Sequence, residues 1–132
     1  MKNEQVMGLG LILCDTIIED RLTGKKSLIG MFDRLASHKF PCHHPQLSIL
    51  VSLTSGRGSY PCSVICKHVD GDIAFQGNGK VELQSPHQVV DIAFNFMGVV
   101  FPKPGVYNLQ FLADEFPVMT RQIFIEQATT KG

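Results

Sequence analysis

Cysteine and histidine are the residues of this chain with the clearest capacity for metal binding or nucleophilic chemistry. They are Cys14, His38, Cys42, His43, His44, Cys62, Cys66, His68 and His87. The densest group is His38, Cys42, His43 and His44, the candidate metal ligands, to which Cys66 and His68 could add a ligand. Structural zinc sites usually show two pairs of closely spaced ligands, and this group offers only one. We therefore predict a solvated, histidine-rich loop with no metal and no other cofactor.

The Cys62-x-x-x-Cys66 spacing resembles a zinc pair only until its geometry is considered. Residues four apart on an extended strand lie about 13 Å from each other. A zinc–sulfur bond is about 2.3 Å long, so one ion cannot bind both sulfurs, and the same separation excludes a disulfide. We interpret both thiols, with Val64 between them, as small core residues.

No pattern for nucleophilic or phosphate chemistry is present. Cys42 precedes His43, but adjacent side chains often point apart, and no G-x-S-x-G elbow occurs. The Gly77-Asn78-Gly79-Lys80 segment lacks the first glycine and the final Ser or Thr of a phosphate-binding loop. We predict that the protein is not an enzyme.

Acidic residues gather around the first predicted hairpin. They are Asp15, Glu19, Asp20 and Asp33. A carboxylate pair could serve in acid–base catalysis. Charges at turns and sheet edges are also a common protection against edge-to-edge pairing, and we favour this second interpretation.

Period-two alternation of apolar residues dominates the elements that position these side chains. The inward sets are Leu47, Ile49, Val51 and Leu53; Tyr60, Cys62, Val64 and Cys66; Val90, Ile92, Phe94 and Phe96; and Tyr107, Leu109 and Phe111. Polar residues at most of the intervening positions predict half-buried antiparallel strands.

Turn residues divide these runs. Asp70-Gly71 predicts a hairpin between residues 60–69 and 72–76. Gly77-Asn78-Gly79 predicts a second turn before residues 80–84, which makes a three-stranded meander. Residues 9–18 could be a strand or a short helix, and their glycines and β-branched residues favour a strand that pairs with residues 27–32 as a further hairpin. We also predict a long irregular loop over residues 33–45 and a last strand over residues 120–126.

A tyrosine corner is predicted at Gly105-Val106-Tyr107-Asn108-Leu109, because this pattern begins a late strand in Greek-key sandwiches. We predict one all-β domain over residues 1–132, an antiparallel Greek-key β-sandwich of immunoglobulin-like type. It has about eight or nine strands and little or no helix, and residues 1–8 and 127–132 are flexible.

Charge and hydropathy exclude several classes of partner. Twelve basic and twelve acidic residues give a net charge of zero with no basic cluster, which argues against nucleic-acid binding. No segment approaches the ~20 apolar residues of a membrane span, and no export signal fits the N-terminal residues. We predict a cytoplasmic protein with reduced cysteines.

Three stretches of the sequence resemble an uncharacterised family of small prokaryotic all-β domains of unknown function. They are Leu13-Cys14-Asp15 with Gly24-Lys25 and residues 28–33; Phe40-Pro41 with His44-Pro45 and the strand from Leu47; and residues 101–107 with Phe111. The resemblance implies a compact β domain and brings no catalytic residues.

Our prediction of function rests on apolar residues that lie outside the core pattern. Leu50, Ile65 and Val69 fall opposite the inward residues of their strands, and residues 99–101 precede a proline-rich turn. Exposed apolar surface needs a cover. We therefore expect a protein-binding or assembly module, with an unidentified protein partner and as a homo-oligomer. The alternative function is a small-ligand or metal-binding protein that uses loop 33–45. The alternative to exposed apolar residues is that both sheet faces are buried within the monomer.

Overall fold

Alternating sequences produce nine strands and no helix in residues 5–129, the part of the chain that the computed structural model describes. The strands are β1 (Met7–Glu19), β2 (Lys26–Met31), β3 (Arg34–Ser37), β4 (Cys42–Thr54), β5 (Gly58–His68), β6 (Ile73–Leu83), β7 (Val90–Phe101), β8 (Gly105–Ala113) and β9 (Phe116–Gln127). The all-β prediction is confirmed. Of the ends predicted to be flexible, residues 1–4 and 130–132 lie outside the described range.

Two packed sheets contain all nine strands. The four-stranded sheet has the order β2-β1-β4-β7, and the five-stranded sheet has the order β3-β9-β8-β5-β6. Neighbouring strands are antiparallel except β3 and β9, which are parallel. The predicted two-layer sandwich is confirmed, whereas its Greek-key, immunoglobulin-like topology stays a prediction.

The core lies between the sheets and contains the residues that the alternation predicts. Leu47, Ile49, Val51 and Leu53 of β4 are fully buried. The inward set of β5, which includes Cys62 and Cys66, packs in the same cluster. Burial raises the pKa of the Cys66 thiol to about 12, so this group is a neutral core side chain at physiological pH.

The predicted tyrosine corner is present at the start of β8. The Tyr107 hydroxyl donates to the Lys103 carbonyl oxygen at 2.6 Å and accepts from the Lys103 N–H at 3.3 Å. The ring is fully buried, and this desolvation raises the pKa of its hydroxyl. The two hydrogen bonds satisfy a polar group that would otherwise destabilise the core.

The turn predicted at Gly77-Asn78-Gly79 is wrong, because β6 continues through it. A Cβ at Gly77 would lie 3.0 Å from Cζ of Phe96, and one at Gly79 would lie 3.3 Å from Cε1 of Phe94. These glycines therefore make room for aromatic rings of the opposite sheet, which is the second common role of glycine in a strand. The meander is thus a single β5–β6 hairpin around Asp70-Gly71.

The irregular loop predicted over residues 33–45 is also wrong. Arg34–Ser37 forms β3, which pairs in parallel with β9, and β4 already begins at Cys42. Only residues 38–41 in this stretch connect the two strands. The partner of β3 lies about ninety residues away in sequence, and local patterns carry no information about such a pairing.

Candidate functional site

The outward surface of the four-stranded sheet concentrates apolar side chains from all four strands. Directly paired residues of antiparallel strands face the same side of a sheet. One row contains Ile12, Leu50 and Ala93, and the next contains Met31, Cys14, Ser48 and Asn95. We call the apolar face the outward set Ile12, Ile18, Ile29, Met31, Leu50, Ala93 and Met97.

Several members of the apolar face are widely exposed. Met97 is 76% exposed, Met31 64% and Ile29 47%. Each row consists of residues that pair directly across the four-stranded sheet. In the rows from Ile12 to Ile18, no described residue that points outward has a charged side chain. The first charge beyond them, Asp91, accepts a hydrogen bond from the hydroxyl of Ser52 at one end. Exposed apolar surface without charges is typical of an interaction site.

Two small side chains lie beneath the apolar face. Cys14 and Ser48 are fully buried although they point outward. The Ser48 hydroxyl donates to Oδ1 of Asn95 at 2.7 Å, and the Cys14 thiol donates to the Thr16 carbonyl oxygen at 3.4 Å. Burial, with a contribution from the charge of Asp15, raises the pKa of the Cys14 thiol. The thiol is therefore protonated at neutral pH and a poor nucleophile.

The structure separates the candidate metal ligands. Cys42 is buried in the core, whereas His38 and His43 are exposed. Cys42 and His43 diverge because consecutive residues of a strand point to opposite faces. Among residues 5–129, no three His, Cys, Asp or Glu side chains are grouped as a metal site.

His44 instead pairs with a residue of β1 that sequence reasoning did not connect to it. Its Nε2 lies 3.2 Å from Oδ1 of Asp15, and its ring packs at 5.4 Å from that of Phe32. Gly30, at φ +73°, makes this possible, because a Cβ there would lie 2.4 Å from Oδ2 of Asp15. The two partners are 29 residues apart, so only the β1–β4 pairing could have indicated the contact.

A cavity of about 270 Å³ adjoins this pair. Its lining residues are Asp15, Thr16, His44, Pro45 and Gln46. Cys14, the neighbouring thiol in sequence, faces the other side of β1. The lining therefore contains an imidazole and a carboxylate, and the Cys14 thiol does not line the cavity.

Two of the remaining predicted acidic residues, Glu19 and Asp20, have structural partners. The Asp20 carboxylate accepts hydrogen bonds from the backbone N–H groups of Leu22 and Thr23 and closes the β1–β2 turn. These hydrogen bonds lower the pKa of Asp20, and the one from Thr23 has the largest effect. Glu19 pairs with Lys26 at 3.5 Å. Glu19 and Asp20 therefore take part in turn and strand-edge contacts, whereas Asp33 is exposed.

The expected outward aliphatics divide into two groups. Val69 is 62% exposed, and Leu50 and Ile65 are half-buried. Val99 and Phe101 are instead buried in the core, which corrects their expected exposure. Gly98 adopts φ +64°, and the alternation of β7 changes phase there, so that Phe94 before it and Val99 after it both point inward.

Comparisons with known proteins match the fold and a family model. Residues 9–126 match the model of a family of unknown function, DUF6941. No curated protein matches the chain. Two crystal structures of a β-glucosidase from Listeria innocua, with glucose and with isofagomine, are similar at TM-scores of 0.54 and 0.53 and 10% identity. The alignments cover 95% of this chain and 16% of those chains, so the likeness concerns the fold alone.

Within residues 5–129, no helix is long and apolar enough to cross a membrane.

Proposed function

Because the chain belongs to DUF6941, a family of unknown function, we propose its role from its surface: a non-enzymatic assembly module that self-associates through the apolar face. The observation that carries this proposal is the position of Met31, Ile29 and Met97, which are exposed together on one uncharged sheet surface. Burial of apolar surface contributes about 25 cal/mol per Å².

The size of the apolar face suits a dimer. Four strands about 4.8 Å apart and about eight residues long at 3.3 Å per residue give a projected area of roughly 500 Å². Side-chain relief increases the accessible area above this value. It then approaches the ~800 Å² that each partner buries in an interface of standard size.

A second copy of this chain is the occupant that the charge distribution favours. A two-fold dimer places the same surface against itself. A charged patch would then repel its own image, whereas the rows from Ile12 to Ile18 present no charged side chain. The net charge of zero adds no long-range repulsion between copies.

The state of the cysteines supports a non-enzymatic protein of the cytoplasm. All four cysteines are buried and free, as is usual in a reducing compartment. Burial raises the pKa of Cys62 and Cys66 as well as that of Cys14. Reactive cysteines have lowered pKa values, so none of these three thiols is prepared for nucleophilic attack.

Sedimentation velocity over a concentration series tests the proposal. The wild-type chain is expected to dimerise in the micromolar range. Met31→Lys with Met97→Lys is expected to raise the dissociation constant at least about tenfold, because each substitution places two unpaired charges in a two-fold interface. Val69→Lys is the matched control, since Val69 is similarly exposed but lies outside the four-stranded sheet, in the turn that follows β5.

Two results would contradict the proposal. One is a wild-type chain that sediments as a monomer at about 200 μM, which is well above the micromolar range. The other is association that survives the double substitution undiminished, because the interface would then lie outside the apolar face.

A further inference from the structure

The outer face of the five-stranded sheet contains a trough of about 500 Å³ over its middle strands. It runs along β5, with β6 on one side and the end of β8 on the other. The trough residues are Ser63, Ile65, Gln76, Asn78, Gln110 and Leu112. This volume lies within the range of small-ligand sites, about 300–1,000 Å³.

Strand pairing arranges the trough residues in two rows. Ile65 lies between Gln76 on β6 and Gln110 on β8. Ser63 lies between Asn78 on β6 and Leu112 on β8. Ile65 and Leu112 are half-buried and form an apolar floor. Each row therefore presents hydrogen-bonding groups beside a flat apolar surface.

The three amide side chains of the trough have open hydrogen-bonding capacity. Within the described chain, Gln76, Asn78 and Gln110 donate no side-chain hydrogen bond to another residue and accept none. Each amide has two donor hydrogens and one acceptor oxygen. Gln110 is half-buried, whereas Gln76 and Asn78 are exposed. A ligand that both donates and accepts would complete them.

The charge distribution of the trough favours a neutral ligand over an ionic one. Its lining contains one cation, Lys67, and one anion, Glu115, and the residues between them are neutral. A peptide strand is disfavoured too, because β5 already pairs with β6 and β8 and offers no free backbone edge.

We propose that the trough binds a short neutral oligosaccharide. Hydroxyl groups donate and accept, as the amides require, and the C–H face of a sugar ring packs on Ile65 and Leu112. The site is independent of the apolar face, because the two lie on opposite outer surfaces of the sandwich.

Titration of ¹⁵N-labelled full-length chain with cellobiose, maltotriose and trigalacturonate, followed by amide chemical shifts, tests the proposal. We expect at least one neutral sugar to shift the amides of residues 63–65, 76–78 and 110–112 with a millimolar dissociation constant. Gln110→Leu is expected to weaken this binding about tenfold, because it removes the half-buried donor and acceptor.

Gln122→Leu is the matched control, since Gln122 is an exposed amide on β9 of the same sheet but outside the trough. It is expected to bind as the wild type does, and the dispersion of each spectrum reports that the variant is folded. The proposal is overturned if neither neutral sugar shifts the trough amides at about 50 mM. It is also overturned if trigalacturonate binds more tightly than both, or if Gln122→Leu weakens binding as much as Gln110→Leu.

Discussion

The two outer faces of this sandwich differ in chemistry although they cover the same core. The four-stranded sheet points Ile29, Met31 and Met97 outward, whereas the five-stranded sheet points Gln76 and Gln110 outward. Inward residues of both sheets are similar aliphatic and aromatic side chains. The inward half of each strand therefore determines the fold, and the outward half is free to determine what each face binds.

Removing a shared core side chain would break both faces together, and this is the largest effect we expect. Phe111 is fully buried on β8, and its ring lies 6.4 Å from that of Phe94 on the opposite sheet. Phe111→Ala is expected to lower the free energy of unfolding by about 3–5 kcal/mol. Urea unfolding followed by NMR should show signals of Met97 and Gln110 disappearing at one common midpoint.

Separate midpoints for the two signals would contradict the shared core, because each sheet would then unfold on its own. Ile65→Val is the matched control, since it removes one methylene from a half-buried outward residue of the five-stranded sheet. It should change the free energy of unfolding by less than about 1 kcal/mol.

A smaller effect is expected at Gly77 of β6, which packs against Phe96 of β7 in the other sheet. Gly77→Ala places a Cβ 3.0 Å from Cζ of Phe96 and should destabilise the chain by about 1–2 kcal/mol, as overpacking usually does. Combining it with Phe96→Leu should recover part of this loss, and a double-mutant cycle by urea unfolding measures the coupling. Additive effects would mean that the ring does not restrict position 77.

The smallest effect is expected at two turns, the β1–β2 turn with Asp20 and the β5–β6 turn with Asp70, whose contributions to stability should respond differently to acid and salt. The pKa of Asp70 lies below its usual range, mainly because Lys103 donates a hydrogen bond to its carboxylate and also because Lys103 is positively charged. The pKa of Asp20 is also lowered, but there the main cause is hydrogen bonds from backbone N–H groups. A carboxyl with a lower pKa in the folded state stabilises the fold above its unfolded pKa. This stabilisation is lost as the pH falls below about 4.

Asp70→Asn and Asp20→Asn should each flatten the fall of thermal stability between about pH 4 and pH 2. High salt should remove the difference between wild type and Asp70→Asn, because it screens the ion pair with Lys103. It should leave the Asp20→Asn difference largely intact, since backbone hydrogen bonds hold that carboxylate. Equal salt sensitivity of the two variants would refute this distinction.

The sequence was informative about the fold wherever the determining signal is local. Alternation along β4 predicts the burial of Leu47 and Ile49, and the Pro-Gly turn before Tyr107 predicts its corner. The parallel pairing of β3 with β9 is not predictable from local patterns, because it joins distant segments. The turn prediction at Gly77 is wrong because glycine marks both turns and close approaches in strands.

The candidate surfaces were only partly predictable for a related reason. The alternation of their own strands predicts that Leu50 and Ile65 point outward. The grouping of Ile12, Leu50 and Ala93 depends on the register of three strands, which a single sequence does not contain. The same holds for Ile65 between Gln76 and Gln110. Adjacency in sequence does not indicate a shared site, because Cys42 and His43 are consecutive residues of β4 and point to opposite faces.

The central claim, that the apolar face joins two copies, is tested most directly by NMR of methionine methyl groups in the presence of a soluble paramagnetic agent. Met31 and Met97 lie on the face, whereas Met119 lies on β9 of the other sheet. As protein concentration rises through the association range, the relaxation enhancement of Met31 and Met97 should fall while that of Met119 stays constant. Association with undiminished enhancement at Met31 and Met97 would contradict the account.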